Sequence, residues 1–286
     1  MKTKMSPWRA ANGIFLVFFA LICLLPFYYV LMVSLSDPMH VKSGELILLP
    51  KGFSLKAYQM ILSQKIFYNS LKITVMRTVF GTALALIIQT MMGFSLSQKK
   101  LPGRKALMLI VVFTILFNGG MIPNYLIVRY TGIMNTLLAL IFPMVVSAFN
   151  VIILTSFFSS IPESLGESAT VDGANDLVIF IRIYLPLSLP VLASVTLFIA
   201  VAHWNSLMDG VLYINSSNLK PMQVYLMDLV SKSLAIDMYS DPDTFQIPFL
   251  SIQSAAIFSA TAPILVIYPF LQKHFLKGVM LGAIKG

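Results

Sequence analysis

Read from its first residue, the chain alternates long apolar runs with polar stretches that gather proline, glycine and charge. Six runs stand out, at about 14–35, 71–96, 106–128, 137–158, 187–208 and 249–271. They are continuous, unlike the short amphipathic stripes with which a soluble core is built. A run near roughly 20 residues is what an α-helix needs to cross the hydrocarbon layer. The pattern predicts an all-α, polytopic membrane protein with six transmembrane helices in a single domain spanning residues 1–286. The first run follows basic residues, as a secretory signal does. It is too long for such an apolar region, no small-residue cleavage site follows it, and five more runs come after, so a retained helix is expected.

Composition agrees. Hydrophobic residues make up 58% of the chain and charged residues 11%, against about 25% charge in an ordinary soluble domain. Mean hydropathy is +0.85. The lone cysteine, Cys23, lies inside the first run and cannot form an internal disulfide. It reads as a small apolar residue.

A net charge of +9 could point to nucleic acid, but the basic residues sit at the ends of the apolar runs. Lys2, Lys4 and Arg9 precede the first, Lys99, Lys100, Arg104 and Lys105 fill the loop after the second, and Lys273, Lys277 and Lys285 follow the last. Such clusters are orientation signals. The loops 36–67 and 211–247 are longer and hold fewer Lys and Arg for their length. The dense side is therefore expected to be cytoplasmic, with both termini and the segment 159–186 on it. No nucleic acid is expected as a partner; membrane lipid is.

Helix breakers interrupt several runs: Gly119, Gly120 and Pro123 in the third, Pro143 in the fourth and Pro263 in the sixth. Broken helices at membrane depth are tolerated where protein or a water-filled cavity satisfies the freed backbone groups. Several in one bundle favour a pathway over an inert anchor.

The segment Ile161–Pro190, IPESLGESATVDGANDLVIFIRIYLPLSLP, is unlike a passive loop. Pro162 can open a helix, where its missing N–H is no loss, and Glu163 suits the positive end of the helix dipole. The spacing predicts a helix over Glu163–Val171, a break at Asp172–Gly173 with glycine in the left-handed conformation, and a second helix from Ala174. Val178, Ile179, Ile181 and Ile183 make that second helix strongly apolar. Pro186 and Pro190 set the entry to the fifth run. A helix–turn–helix knuckle with an acidic first helix is suited to plug another protein's groove.

The knuckle resembles the cytoplasmic "EAA" loop of permease subunits in ATP-binding-cassette (ABC) importers, with its Glu-Ala-Ala start, a glycine soon after and an Ile-x-Leu-Pro end. Glu167, Ser168 and Ala169 take the start, Asp172, Gly173 and Ala174 the bend, and Ile183, Leu185 and Pro186 the end. Serine replaces the first alanine, one small residue for another. The block FNGGMIPNYLIVRYTGIMNTLLALIFP and the tail FLKGVMLGAIKG are similar to the carbohydrate branch, the maltose-type permeases, and within it to the complex-oligosaccharide subgroup. The resemblance covers essentially the whole chain.

It implies a permease of the bacterial cytoplasmic membrane, working as a heterodimer with a second related permease, two ATPase subunits that bind ATP and Mg, and an extracytoplasmic solute-binding protein, to import a sugar or oligosaccharide. The knuckle would sit in an ATPase cleft, with Glu167 offering a carboxylate and Gly173 permitting the bend. ATPase closure would then rock the helices between inward-open and outward-open as rigid bodies. This chain should hold no cofactor, because it lacks a Gly-x-x-x-x-Gly-Lys-Ser/Thr phosphate loop. It offers no metal-ligand spacing among His40, His203, His274 and Cys23, and no nucleophile–base pair. No enzymatic activity is expected of it.

Polar groups deep in a span are candidates for the pathway: Asn150 in the fourth, His203, Trp204 and Asn205 in the fifth, and Gln253 in the sixth. Trp204 also suits an interface belt and Asn150 an interhelical bond. Lys72 and Arg77 near the outer end of the second run could attract an acidic sugar, but snorkelling to the interface is the simpler reading. Two other classes remain open: an ABC importer for a non-sugar solute, and an ion-coupled secondary transporter. The latter expects intramembrane acids, and the six runs contain no Asp or Glu.

Overall fold

The computed structural model describes residues 7–43, 47–239 and 248–265. Lys2, Lys4, the basic C-terminal tail with its motif and the end of the sixth run lie outside them. Among the described residues the only β pairing is an isolated bridge between Ser36 and Phe53; the rest is helix and connection.

Two helices are long and apolar enough to span a bilayer as they stand: α1 (Pro7–Ser34) and α4 (Lys65–Ser97). α2 (Pro38–Lys42) and α3 (Lys56–Leu62) lie between them. The third run is broken. α5 (Arg104–Leu116) and α6 (Met121–Tyr130) meet at 116°, and the break falls where Gly120 holds φ at +86°. In the fourth run a pair of short 3₁₀ turns, Leu137–Met144, meets α7 (Ala148–Ser159) at 50°; Pro143, with no N–H to donate, lies inside the second turn. α8 (Glu163–Val171) follows. Then α9 (Asp176–Ile179), a π turn (Phe180–Tyr184) and α10 (Leu185–Leu187) form one continuous piece. It meets α11 (Leu189–Asn205) at 85°. α12 (Met208–Tyr213), α13 (Met222–Tyr239) and α14 (Phe249–Leu265) complete the order. α13 lies within the segment 211–247, which the sequence reads as a loop.

The chain divides into two compact units, Met1–Tyr68 with Tyr225–Pro263, and Asn69–Val224 with Ile264–Gly286. In the first, α1 leaves its residues 11–27 exposed and buries only its C-terminal end, where Met32 and Val33 pack on Val41 and Ile47. A helix apolar all round with no cover of its own is a helix made for lipid or another apolar surface. The Ser34 and Tyr58 hydroxyls hydrogen-bond at 2.8 Å; burial pushes the Tyr58 phenol above its usual range, and the Ser34 bond opposes that rise.

In the second unit, α4 is the helix against which the others pack. Two glycines make close approach possible. A Cβ at Gly93 would stand 2.7 Å from the Leu154 Cβ, and one at Gly81 would stand 2.6 Å from the His203 ring. Small residues at a helix interface let apolar helices gain dispersion contacts that lipid cannot outcompete. The core of this unit runs from Ala85 through Leu154, Phe158 and Ile161 to Ile179, Phe180, Tyr184, Val191, Val195 and Ile199.

Candidate functional site

The knuckle is built by local chemistry. α8 starts one residue later than a proline at its first position would require: Pro162 is the N-cap, with Glu163 in the first turn. Its end is a Schellman motif. The Gly173 N–H donates to the Thr170 carbonyl at 3.0 Å, and the Ala174 N–H reaches back to Ala169 O at 2.9 Å. Gly173 takes φ +85°, a region that costs a residue with a Cβ about 1–2 kcal/mol. Ala174 is therefore consumed by the helix end, and the second helix begins at Asp176, two residues later than the sequence suggests. Asn175 caps it, its Oδ1 accepting from the Val178 N–H at 2.9 Å.

α8 buries no residue. Glu167, Ser168, Asp172 and Gly173 are exposed, and Val171 is 88% exposed. Ala169 and Ala174 turn inward onto the core, as do Ile183 and Leu185; Pro186 is exposed at the elbow before α11. The anchor, however, is aromatic and was not read from the sequence. Phe94 near the end of α4 stands 4.9 Å from Tyr184, 5.0 Å from Phe180 and 6.3 Å from Phe158, ring centre to ring centre. Phe158 and Tyr184 meet at 6.0 Å. One ring on α4 thus touches α7 and both ends of the π turn. The signal was the string of aromatics at 94, 158, 180 and 184, hidden because nothing in the order of residues brings distant rings together.

The basic loop after α4 lies alongside. Lys99 pairs with Glu163 at 2.9 Å and Lys100 with Glu167 at 3.7 Å. Both pairs are well exposed, where such contacts are weak, so Glu167 is free to exchange this partner for another. A cavity of about 160 Å³ lies between the loop and α8, and a groove of about 470 Å³ runs along Ala169, Gly173, Asn175 and Arg182 on the far side of the bend.

A second polar region lies in the bundle. A cavity of about 400 Å³ is lined by Gln89, Met144, Ser147, Asn150, Phe198 and His203, among others. It brings Asn150 and His203 together, as their separate placement in two runs could not show. Gln89 joins them: its Nε2 donates to the Val145 carbonyl at 2.7 Å, while its Oε1 has no protein partner. Both His203 ring nitrogens also lack one, although the residue is only 1% exposed. Trp204 is buried and Asn205 exposed, and neither lines the cavity. Gln253, half-buried, belongs to the other unit.

Arg77 corrects the sequence reading. It does not snorkel. It is fully buried, and its Nη2 meets the Asp209 carboxylate at 2.5 Å. Asp209 lies one residue past the predicted end of the fifth run, which is why the run itself showed no acid. Lys72 is exposed.

Kinked apolar helices, an exposed capped knuckle and a cavity that sets Gln89, Asn150 and His203 among apolar side chains are the features of a membrane permease. The chain belongs to the permease subunits of sugar ABC transporters. It is 47% identical over 274 residues to the polygalacturonan/rhamnogalacturonan transport system permease protein YtcP of Bacillus subtilis, covering 95% of this chain and 96% of that one. To the protein LplC of the same organism it is 40% identical over 279 residues, covering 96% and 94%. Among solved structures it matches, with a TM-score of 0.86 and 32% identity over 96% of this chain and all of the other, one from a bacterial ABC transporter involved in import of the acidic polysaccharide alginate. No family model matches the chain. These relatives fit the complex-oligosaccharide subgroup and set aside the non-sugar and ion-coupled readings. The protein is an integral membrane, non-catalytic permease subunit of a sugar importer; ATP hydrolysis belongs to a separate subunit.

Proposed function

We propose that the chain forms half of the membrane pathway for a uronate-bearing oligosaccharide and that the knuckle transmits ATPase closure to it. The observation that carries the coupling role is the contrast within residues 163–187. The outer face, with Glu167 and Gly173, is exposed, and the inner face is locked to α4 and α7 through Phe94, Phe158, Phe180 and Tyr184. A push on α8 is passed to α4 and α7 with little slack, because packed cores are not continuously deformable. The acidic substrate is carried over from the relatives, one bearing the name of polygalacturonan and rhamnogalacturonan transport and one drawn from an alginate importer.

In this reading residues 1–286 form one transmembrane domain of six spans in the cytoplasmic membrane, namely α1, α4, the bent pair α5 and α6, the bent pair ending in α7, α11 and α14, with both termini and the knuckle in the cytoplasm. A second permease completes a heterodimer. Two ATPase subunits, which bind ATP and Mg, receive the knuckles, and a solute-binding protein delivers sugar from outside. Glu167, Ser168, Asp172 and Gly173 dock; Ala169 and Ala174, turned onto the core, set the bend behind them, and Ile183, Leu185 and Pro186 join the knuckle to α11. Gln89, Asn150 and His203 line the sugar path, while Trp204, Asn205 and Gln253 stay outside the cavity's lining or in the other unit.

The test is reconstitution with the neighbouring subunits, measuring ATPase activity with binding protein and candidate oligosaccharides. Gly173→Pro removes the bond to Thr170 and forbids φ +85°, at a cost of about 3 kcal/mol or more to the bend. Stimulation by a galacturonate oligosaccharide, lost in the variant while the chain still inserts, is expected. Intact stimulation in Gly173→Pro refutes the coupling role.

A further inference from the structure

Arg77 carries a guanidinium that is fully buried in the bundle and has no part in the coupling or pathway roles above. Its Nη2 donates to Asp209 Oδ2 at 2.5 Å and its Nη1 to Asp209 Oδ1 at 3.4 Å and to the Ser206 carbonyl at 3.2 Å. Asp209 Oδ1 also accepts from the Ser206 hydroxyl and from the Gly210 N–H, each at 2.8 Å. The cluster encloses the point where α11 ends at Asn205 and the chain turns extended through Ser206 into α12. A cation at the end of a helix meets its negative pole.

Stability alone does not account for this. A buried ion pair is often replaceable by apolar residues of similar volume without loss. An ionisable group inside a membrane bundle is a functional candidate by default. What the pair touches supplies the function. One turn along α4 from Arg77, the absent side chain of Gly81 leaves the place occupied by the His203 ring, which a Cβ there would approach to 2.6 Å. His203 is three residues before Ser206 on the last turn of α11. The Met144 sulfur, which lines the cavity, stands 3.9 Å from Arg77 Nη2. α4 therefore grips the end of α11 at Arg77 and seats the imidazole at Gly81. The result is a buried histidine beside the cavity, its Cε1–Nε2 edge against Gly81 and both nitrogens buried without a protein hydrogen bond.

We infer that the Arg77–Asp209 pair is a positioning element of the sugar path, holding the last turn of α11 so that the His203 ring stays seated on Gly81 and the cavity beside Gln89 and Asn150 keeps the shape that admits the sugar. The inference rests on the reading of that cavity as the sugar path. Arg77 and Asp209 touch no substrate; they act through His203.

The chain's lone thiol makes the test direct. In the reconstituted complex, with Cys23→Ser and Ser147→Cys, a methanethiosulfonate reagent labels the cavity wall. Binding protein loaded with trigalacturonate is expected to slow labelling about tenfold, a change of about 1.4 kcal/mol in occupancy. Asp209→Asn, and the apolar double variant Arg77→Met with Asp209→Leu, are expected to abolish that protection. The exchanged pair Arg77→Asp with Asp209→Arg is expected to restore part of it. If sugar gives no protection with the pair intact, the cavity is not the path and the positioning role falls with it. Protection that survives in the apolar double variant leaves the path standing and overturns the positioning role alone. Should both double variants fail to assemble while single apolar substitutions at neighbouring Met144 succeed, the pair is a folding element and the inference is likewise overturned.

Discussion

Removing the Phe94 ring tests whether the knuckle is held as described. Phe94 is half-buried and joins α4 to Phe158, Phe180 and Tyr184 at centroid distances of 6.3, 5.0 and 4.9 Å. Truncating a fully buried Phe to Ala costs about 3–5 kcal/mol. With partial exposure the loss falls to about 2–3 kcal/mol, of which each lost aromatic pair supplies about 0.5–1.5 kcal/mol. Two of the three partners belong to the knuckle, so the loss lands on the contact between α4 and residues 176–187. Local opening there becomes about 30- to 150-fold more frequent, at about 1.4 kcal/mol per tenfold. Hydrogen–deuterium exchange of the permease in lipid nanodiscs, followed on peptides from 163–187, measures this, since local openings expose amides in proportion to their population. Phe94→Leu keeps most of the apolar volume and is expected to accelerate exchange less than about tenfold. If Phe94→Ala leaves exchange in 163–187 within about threefold of wild type, a change of about 0.7 kcal/mol, the aromatic cluster is not the anchor.

Two further substitutions probe the frame around the site. Gly93→Ala places a Cβ 2.7 Å from Leu154 Cβ and 3.3 Å from the Thr155 backbone nitrogen. α4 and α7 must part, at about 1–3 kcal/mol, lowering the thermal midpoint in detergent; Gly13→Ala, with open space around it, is expected not to. Asn135 holds φ +57°, accepts from the Asn215 and Ser216 N–H groups at 3.1 and 2.9 Å, and donates to the Ser216 hydroxyl at 2.8 Å. Asn135→Ala loses all three bonds and strains the backbone, about 2–4 kcal/mol in sum. Limited proteolysis is then expected to cut near 213–219 where the wild type resists, and unchanged resistance would count against this clasp.

The order of residues determined the class and most of the element boundaries. Long apolar runs can be satisfied only by helices in lipid, because each backbone N–H and C=O must be bonded within its own segment. The positions of Gly119, Gly120 and Pro143 announced where those helices break, and Asp172–Gly173 announced the turn of the knuckle, since left-handed φ is a local property that glycine alone meets cheaply. Glu167, Gly173 and their neighbours were legible for the same reason: they lie within one stretch of about 25 residues whose chemistry is read without knowing what packs on it.

What only the tertiary structure decided lies between segments far apart in the chain. Arg77 and Asp209 are 132 positions apart; each alone resembles an interfacial residue, and only their meeting turns two solvated charges into a buried pair. The Phe94 cluster, the seat of His203 at Gly81 and the arrival of Gln89 beside Asn150 share that origin. Apolar and small residues carry no directional signal, so which ring fills which gap is set by the crossing of α4 with α7 and α11. That crossing is fixed by packing over the whole unit and not by any local pattern.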